Sequence, residues 1–296
     1  MTIISTLSVV ALGVVLGQHD GHSIPNAGTR AAPTASPEGL ARTGPPKEWS
    51  LGHGFTRRGD HIYVDGQRID QAGRANIDEF AAFMGRPLVL AHDVDAESFA
   101  ALSAEYAKDR NTVYFKWTSP GEFWFVVIPD ADPATFEVMD FNLAKDATRV
   151  WRTDVVIEGA DAATAQVVNP HWVWKDRHHV YYQFTLLAEA DPKTFRHLDQ
   201  AFYRDATHVY WSTTRLVGAD VNTFRTFGND VPYAVDDRHV WFGASRLPQV
   251  DASQFRLLHN HVFADATAVF VGGEAAVVPD ADPATFRKVV ELESAG

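Results

Sequence analysis

The chain of 296 residues carries a net charge of −12, with 46% hydrophobic residues, eight Trp and no Cys. The missing cysteines exclude disulfides, a thiol nucleophile and thiolate metal sites. The apolar content argues against disorder, and the acidic balance without a Lys/Arg cluster argues against a nucleic-acid partner, whose phosphates need basic groups.

Thr2 to Leu16 is a nearly continuous run of apolar and small residues, ended by Gly17-Gln18-His19-Asp20. It falls short of the roughly 20 residues of a transmembrane helix, and it lacks the Lys or Arg that opens most secretory signals. Residues 1–20 are read as an export signal or leader, with an N-terminal membrane anchor as the alternative. The Pro- and Gly-rich stretch after it makes residues 21–48 a flexible linker. A leader followed by a tether leads to the expectation of an exported, periplasmic or envelope protein, with a cytoplasmic one as the alternative.

Residues 49–94 read as an irregular unit. His61 to Ile69 has the pattern of a hairpin turning at Asp65-Gly66, and Asn76 to Phe83 that of a short helix capped by Asn76. A terminal member of a stack is expected to be atypical because one face meets solvent, so this segment is taken as an N-terminal cap.

From Asp95 onward two landmarks alternate. The first is Asp followed four residues later by Phe, at Asp95/Phe99, Asp132/Phe136, Asp191/Phe195, Asp220/Phe224, Asp251/Phe255 and Asp282/Phe286, with a degenerate copy at Asp161/Ala165. Successive Asp positions lie 37, 29, 30, 29, 31 and 31 residues apart, so only the first interval holds an insertion. The second is Asp followed by a β-branched residue and an aromatic, as in Asp176/Val180-Tyr181, Asp205/Val209-Tyr210 and Asp236/Val240-Trp241. In the first landmark the Asp carboxylate caps a helical turn that Pro pre-sets in some copies, and Phe is its apolar anchor. The cap residues are Asp132, Asp191, Asp220, Asp251 and Asp282, and the anchors are Phe136, Phe195, Phe224, Phe255 and Phe286. The second landmark separates two runs of strand-favouring residues, which predicts a β-hairpin with a third short strand behind it. Each unit is thus read as three strands plus one helical turn, about six of them over residues 95–290.

A unit of about thirty residues cannot bury a face alone, so neighbours must share a core. The expected fold is mainly β, a solenoid-like tandem array of hairpin units each with a one-turn helix. A β-propeller is the alternative, disfavoured because four-stranded blades usually need about 40 residues or more.

Repetition itself explains most of the acidic residues as turns and caps, against a calcium reading that would want an unbroken oxygen-ligand pattern. His179, His208 and His239 occupy one position in successive copies and read as polar filler of a hairpin connection rather than zinc ligands. The familiar hydrolase, zinc-protease and nucleotide-binding motifs are absent from the sequence, and no catalytic residue, metal or cofactor is assigned. The remaining candidates for binding are Tyr182, Trp211 and Phe242, the second aromatic of successive pairs, which would form a platform if they faced outward.

The runs Lys108-Asp109-Arg110-Asn111-Thr112-Val113-Tyr114, Lys175-Asp176-Arg177-His178-His179-Val180-Tyr181-Tyr182 and Arg204-Asp205-Ala206-Thr207-His208-Val209-Tyr210 resemble the bacterial DKNYY family, named for an Asp-Lys-Asn-x-Tyr-Tyr-like run. The similarity spans roughly Asp95 to Val290, and Arg or Ala replaces the Lys after the Asp, as in a divergent member. The resemblance implies an exported or envelope-linked protein and no established catalytic activity or cofactor. The resulting expectation is a noncatalytic envelope-associated scaffold or protein-interaction module. Its alternatives are a carbohydrate-binding or glycoside-cleaving protein, and an inhibitor or immunity-type protein whose acidic surface meets a basic partner.

Overall fold

A computed structural model describes residues 47–228, 231–259 and 261–286. The expected leader and nearly all of the expected linker lie outside the described residues. The rest is seven antiparallel sheets of four strands each, over residues 48–68, 100–127, 137–156, 166–186, 196–215, 225–246 and 256–277. Within each sheet the strands neighbour one another in chain order, a plain meander.

The fifth sheet shows how the sequence builds the unit. Its strands are Arg196–Asp199, Phe202–Arg204, Val209–Trp211 and Thr214–Arg215. The expected count of three strands was one short. The missing strand follows the Phe anchor directly, and its mixed sequence, Arg-His-Leu-Asp, hides it among the turn residues. Four strands fit a thirty-residue period because each is only two to four residues long here, which removes the length argument made against four-stranded units.

Packing follows from alternation along the strands, because adjacent residues face opposite sides of a sheet. Val209 joins the cluster shared with the sixth sheet, while Tyr210 joins the one shared with the fourth. Applied to every sheet, this rule gives six core clusters, one at each of the six junctions between successive sheets. Among the described residues no cluster joins the seventh sheet to the first, so the array is mainly β, tandem and not closed as a barrel.

The insertion in the first interval is the long hairpin Val113–Ser119/Glu122–Val127 of the second sheet. Its extra length carries Trp117 and Trp124 to the helix Ile77–Met84, where Phe80 stacks on Trp124 at 4.0 Å and meets Trp117 edge-on at 6.1 Å. The helix begins where expected, but Asn76 does not cap it with its side chain. Its amide instead donates to the Glu122 carboxylate at 2.8 and 2.9 Å and its carbonyl accepts from the Trp124 indole at 3.1 Å, anchoring helix to hairpin. The expected turn at Asp65-Gly66 is present, both residues having positive φ, +51 and +77°.

Candidate functional site

The two ends of each sheet differ in chemistry. At one end lie the helical turn and the connection between the second and third strands, and there the two Asp landmarks meet. Asp205 is buried, with Oδ1 accepting from the amides of Thr207 and His208, both at 2.7 Å. Its Oδ2 accepts from the amide of Asp191 at 3.1 Å and from the Tyr210 hydroxyl at 3.1 Å. The bond from the first Asp amide to the second Asp carboxylate recurs in six units, at Asp95/Asp109, Asp132/Asp146, Asp161/Asp176, Asp191/Asp205, Asp220/Asp236 and Asp251/Asp265.

The first Asp has its own task. Asp191 accepts from the amide of Lys193 and the hydroxyl of Thr194, and the Thr194 hydroxyl in turn accepts from the amide of Ala206. Asp132 and Asp282 hold their turns through the amide two residues on and the Thr three residues on, while Asp251 uses the amide and hydroxyl of Ser253 and Asp220 the amide of Asn222. Phe136, Phe195, Phe224 and Phe255 are buried at four of the six junctions, Ala165 stands in the anchor place between the third and fourth sheets, and Phe286 is half-buried. This end of the array is therefore engaged in holding itself together.

His179, His208 and His239 each sit beside the buried Asp of their own unit, at 3.8, 3.8 and 3.4 Å. One histidine per unit does not make a ligand set. Among the described residues no group of three or more His, Asp or Glu side chains is placed to hold a metal ion.

The opposite end carries the other two turns of each sheet, side by side. The amide of Gln183 donates to the carbonyl of Trp172, that of Ser212 to Ala201 and that of Gly243 to Pro232, one bond repeated from sheet to sheet. The backbone is regular there, but the side chains are not: Asn142, Trp172 and Ala201 stand in equivalent places. Between the fourth and fifth sheets this end opens into a groove of about 620 Å³ lined by Trp172, Tyr182, Tyr203 and Trp211, with Asn169, His171, His197, Asp199 and Gln200 supplying polar groups.

Rings form a continuous wall, with centroids 5.9 Å apart for Trp172 and Tyr182, 6.4 Å for Tyr182 and Tyr203, and 5.1 Å for His197 and Tyr203. Asn169 donates to the Tyr203 hydroxyl at 2.8 Å, and Asp199 accepts from the amide of Gly228 at 2.9 Å, which fixes both side chains. The indole N–H groups of Trp172 and Trp211, the Tyr182 hydroxyl and the Gln200 amide donate to nothing within the described residues, which leaves them for a ligand.

A family model, the DKNYY family, matches residues 55–214 and 201–274. The chain belongs to the DKNYY family. No curated protein and no solved structure matches it. The match begins at Phe55, so the DKNYY family pattern takes in the first sheet, ahead of the first Asp landmark.

The basic residue beside the Asp in the DKNYY run of this chain precedes it, and the structure shows what it does. Lys108, Lys145, Lys175 and Arg204 each reach across to a backbone carbonyl in the next unit's helical turn, at Pro133, Ala162, Pro192 and Val221, at 2.7 to 3.0 Å. The Asp locks its own unit and the cation ties that unit to the next.

Of the three expected platform residues, Tyr182 and Trp211 line the groove while Phe242 does not. Phe242 packs into the junction of the sixth and seventh sheets against Gly273, where a Cβ would come within 2.3 Å of its ring. Gly243 makes similar room for Trp211, at 3.1 Å. Trp172 escaped the sequence reading because Trp172-Val173-Trp174 looks like one strand, whereas Trp172 belongs to the turn opened by Pro170-His171. The usable signal was the place where equivalent positions stop matching one another.

The buried carboxylates make a testable pH dependence. Burial pushes the carboxyls of Asp146, Asp205, Asp236 and Asp265 up, but the backbone and side-chain donors around each outweigh it and hold them below the ordinary value of 3.8. The unfolded chain then takes up protons before the folded one as pH falls. Their contribution is complete above the unfolded value and is lost as pH drops through the folded ones. Urea midpoints measured by circular dichroism should be flat from neutral pH to about 5 and fall steeply below about 4. A midpoint that held level to pH 3 would show that these bonds contribute no charge-dependent stability.

Proposed function

We propose that this chain is a noncatalytic, envelope-associated protein-interaction module that takes its partner at the groove between the fourth and fifth sheets. The observation that carries this reading is the contrast between the two ends. The Asp end repeats the same residues in the same bonds, whereas the other end presents Trp172, Tyr182 and Trp211 with unengaged donors. Trp and Tyr lead among residues that dominate protein interfaces, because they combine a large apolar face with a hydrogen-bonding edge. A glycan is the second reading, favoured by the half-exposed Trp172 indole beside Asp199 and Gln200. The leader and tether expected from the sequence support an exported location.

Trp172→Ala and Tyr182→Ala should each weaken capture of the partner by about 2 kcal/mol, some thirtyfold. Far-ultraviolet circular dichroism stays near wild type in both, and the urea midpoint stays near wild type in Trp172→Ala but falls in Tyr182→Ala, because Tyr182 also packs on the core of that junction. The check is cross-linked capture from an envelope extract with wild type and both variants in parallel, plus an oligosaccharide array. An identical set of captured proteins from folded variants would refute the groove as the site, and array binding lost in Trp172→Ala would move the reading to the glycan.

A further inference from the structure

Each sheet after the first opens with a residue that directly follows the Phe position of the preceding turn, and it is exposed in five consecutive sheets: Glu137, Gln166, Arg196, Arg225 and Arg256. Charge therefore changes sign along the array. Opposite these residues, on the second strand, stand Lys145, Lys175, Arg204, Val235 and Ala264. In the third sheet the pair is complementary, Glu137 and Lys145 lying 3.3 Å apart. In the fifth it is two arginines, a like-charge cross-strand pair that destabilises a sheet.

Arg204 feels that conflict. Its guanidinium is held below the ordinary arginine value, first by burial and then by the charge of Arg196. Within the described residues Arg196, Arg225 and Arg256 make no ion pair, although the chain as a whole carries an excess of twelve negative charges. Arg225 lies over the Phe227 ring at 5.3 Å, and Arg256 donates to the carbonyl of Pro283 at 2.7 Å. Two residues after each arginine comes a half-buried apolar residue, Leu198, Phe227 or Leu258. Three exposed arginines without an ion pair in successive copies, the first of them set across the strands from a second arginine, point to an anion supplied from outside.

We propose that Arg196, Arg225 and Arg256 form a docking strip for an acidic peptide segment of a protein partner. The proposal rests on the chain being a protein-interaction module but not on the groove. Stacked sheets lie about 10 Å apart, the distance an extended peptide covers in about three residues, so carboxylates at every third position match the strip. Guanidinium groups take carboxylates bidentately. Leu198 and Phe227 pack on the cores between sheets, but Leu258, half-buried and outside the core clusters, offers an apolar contact that suits a peptide better than a bare phosphate or sulfate polymer. The overall charge alone would favour a basic partner. At physiological salt, charges beyond about 8 Å are largely screened, so the local strip decides what docks on it.

The test uses the full chain and a fluorescent peptide with Glu at every third position and Leu between, read by anisotropy. The expected result is binding that weakens with added salt, is absent for the peptide with Gln in place of Glu, and falls at least about tenfold in R196Q/R225Q. Arg256→Gln is assayed separately because Arg256 also holds the Pro283 carbonyl, and urea midpoints confirm that each variant is folded. Trp172→Ala should leave peptide binding unchanged, which separates failure of the groove from failure of the strip. Undetectable binding, equal binding of the Gln peptide, retention in R196Q/R225Q, loss in Trp172→Ala, or preference for heparin over the peptide would each overturn the proposal.

Discussion

Asp205→Ala should lower stability by about 3–5 kcal/mol, since four donors lose their acceptor at about 1 kcal/mol or more each. The donors are the amides of Thr207, His208 and Asp191 and the hydroxyl of Tyr210, all converging on one carboxylate. No other acceptor stands ready for them, because the rest of the turn is already paired within itself. Asp205→Asn is expected to fail in a related way. It keeps the shape but turns an NH2 group toward either the Asp191 amide or the Thr207 and His208 amides. Asp191→Ala should cost less, because Asp191 holds only an outer turn whose donors water can reach. Urea unfolding of the three variants beside wild type gives the comparison, and equal losses at Asp205 and Asp191 would contradict the inner-lock role.

Phe195→Ala should also cost about 3–5 kcal/mol, but with a different signature. Phe195 is buried at the junction of the fourth and fifth sheets, its ring 5.7 Å from those of both Tyr203 and Tyr210. Because each core cluster of the described residues joins two successive sheets, the loss falls on one junction, and an array of this kind is stable as a sum of units and interfaces. Hydrogen exchange should show the fourth and fifth sheets losing protection first while distant sheets hold, and the unfolding transition should broaden. Phe286→Ala, at a half-buried position, should have a much smaller effect. Uniform loss of protection along the chain after Phe195→Ala would argue for one undivided core instead.

Much of this was legible in advance for a physical reason: repetition amplifies local signals. The Asp-to-Phe spacing recurs because every unit needs the same cap and the same anchor, so the period and the tandem β class stand out of the sequence. What escaped is what local pattern does not mark. The strand Arg196–Asp199 has no alternation to announce it, since it bulges between His197 and Asp199 and pairs only with the strand that follows. Asn76 reads as a helix cap, yet Glu122 and Trp124, far along the chain, claim its side chain. The second-landmark Asp reads as a hairpin turn residue, and its burial emerges only when the first-landmark amide folds back onto it.

The sequence by itself determined the repeat, its length, the turn chemistry and the shared cores, because these depend on contacts within about thirty residues of one another. Only the tertiary structure decided which face each aromatic takes. Tyr182 and Trp211 reach a groove while Phe242, also half-buried, packs on the next sheet at Gly273. It likewise brought Arg196, Arg225 and Arg256 into equivalent places on successive sheets, although about thirty residues separate each from the next. Side-chain exposure and charge proximity are properties of neighbours in space, and in a stacked array those neighbours come from the adjoining unit rather than from the adjacent residues of the chain.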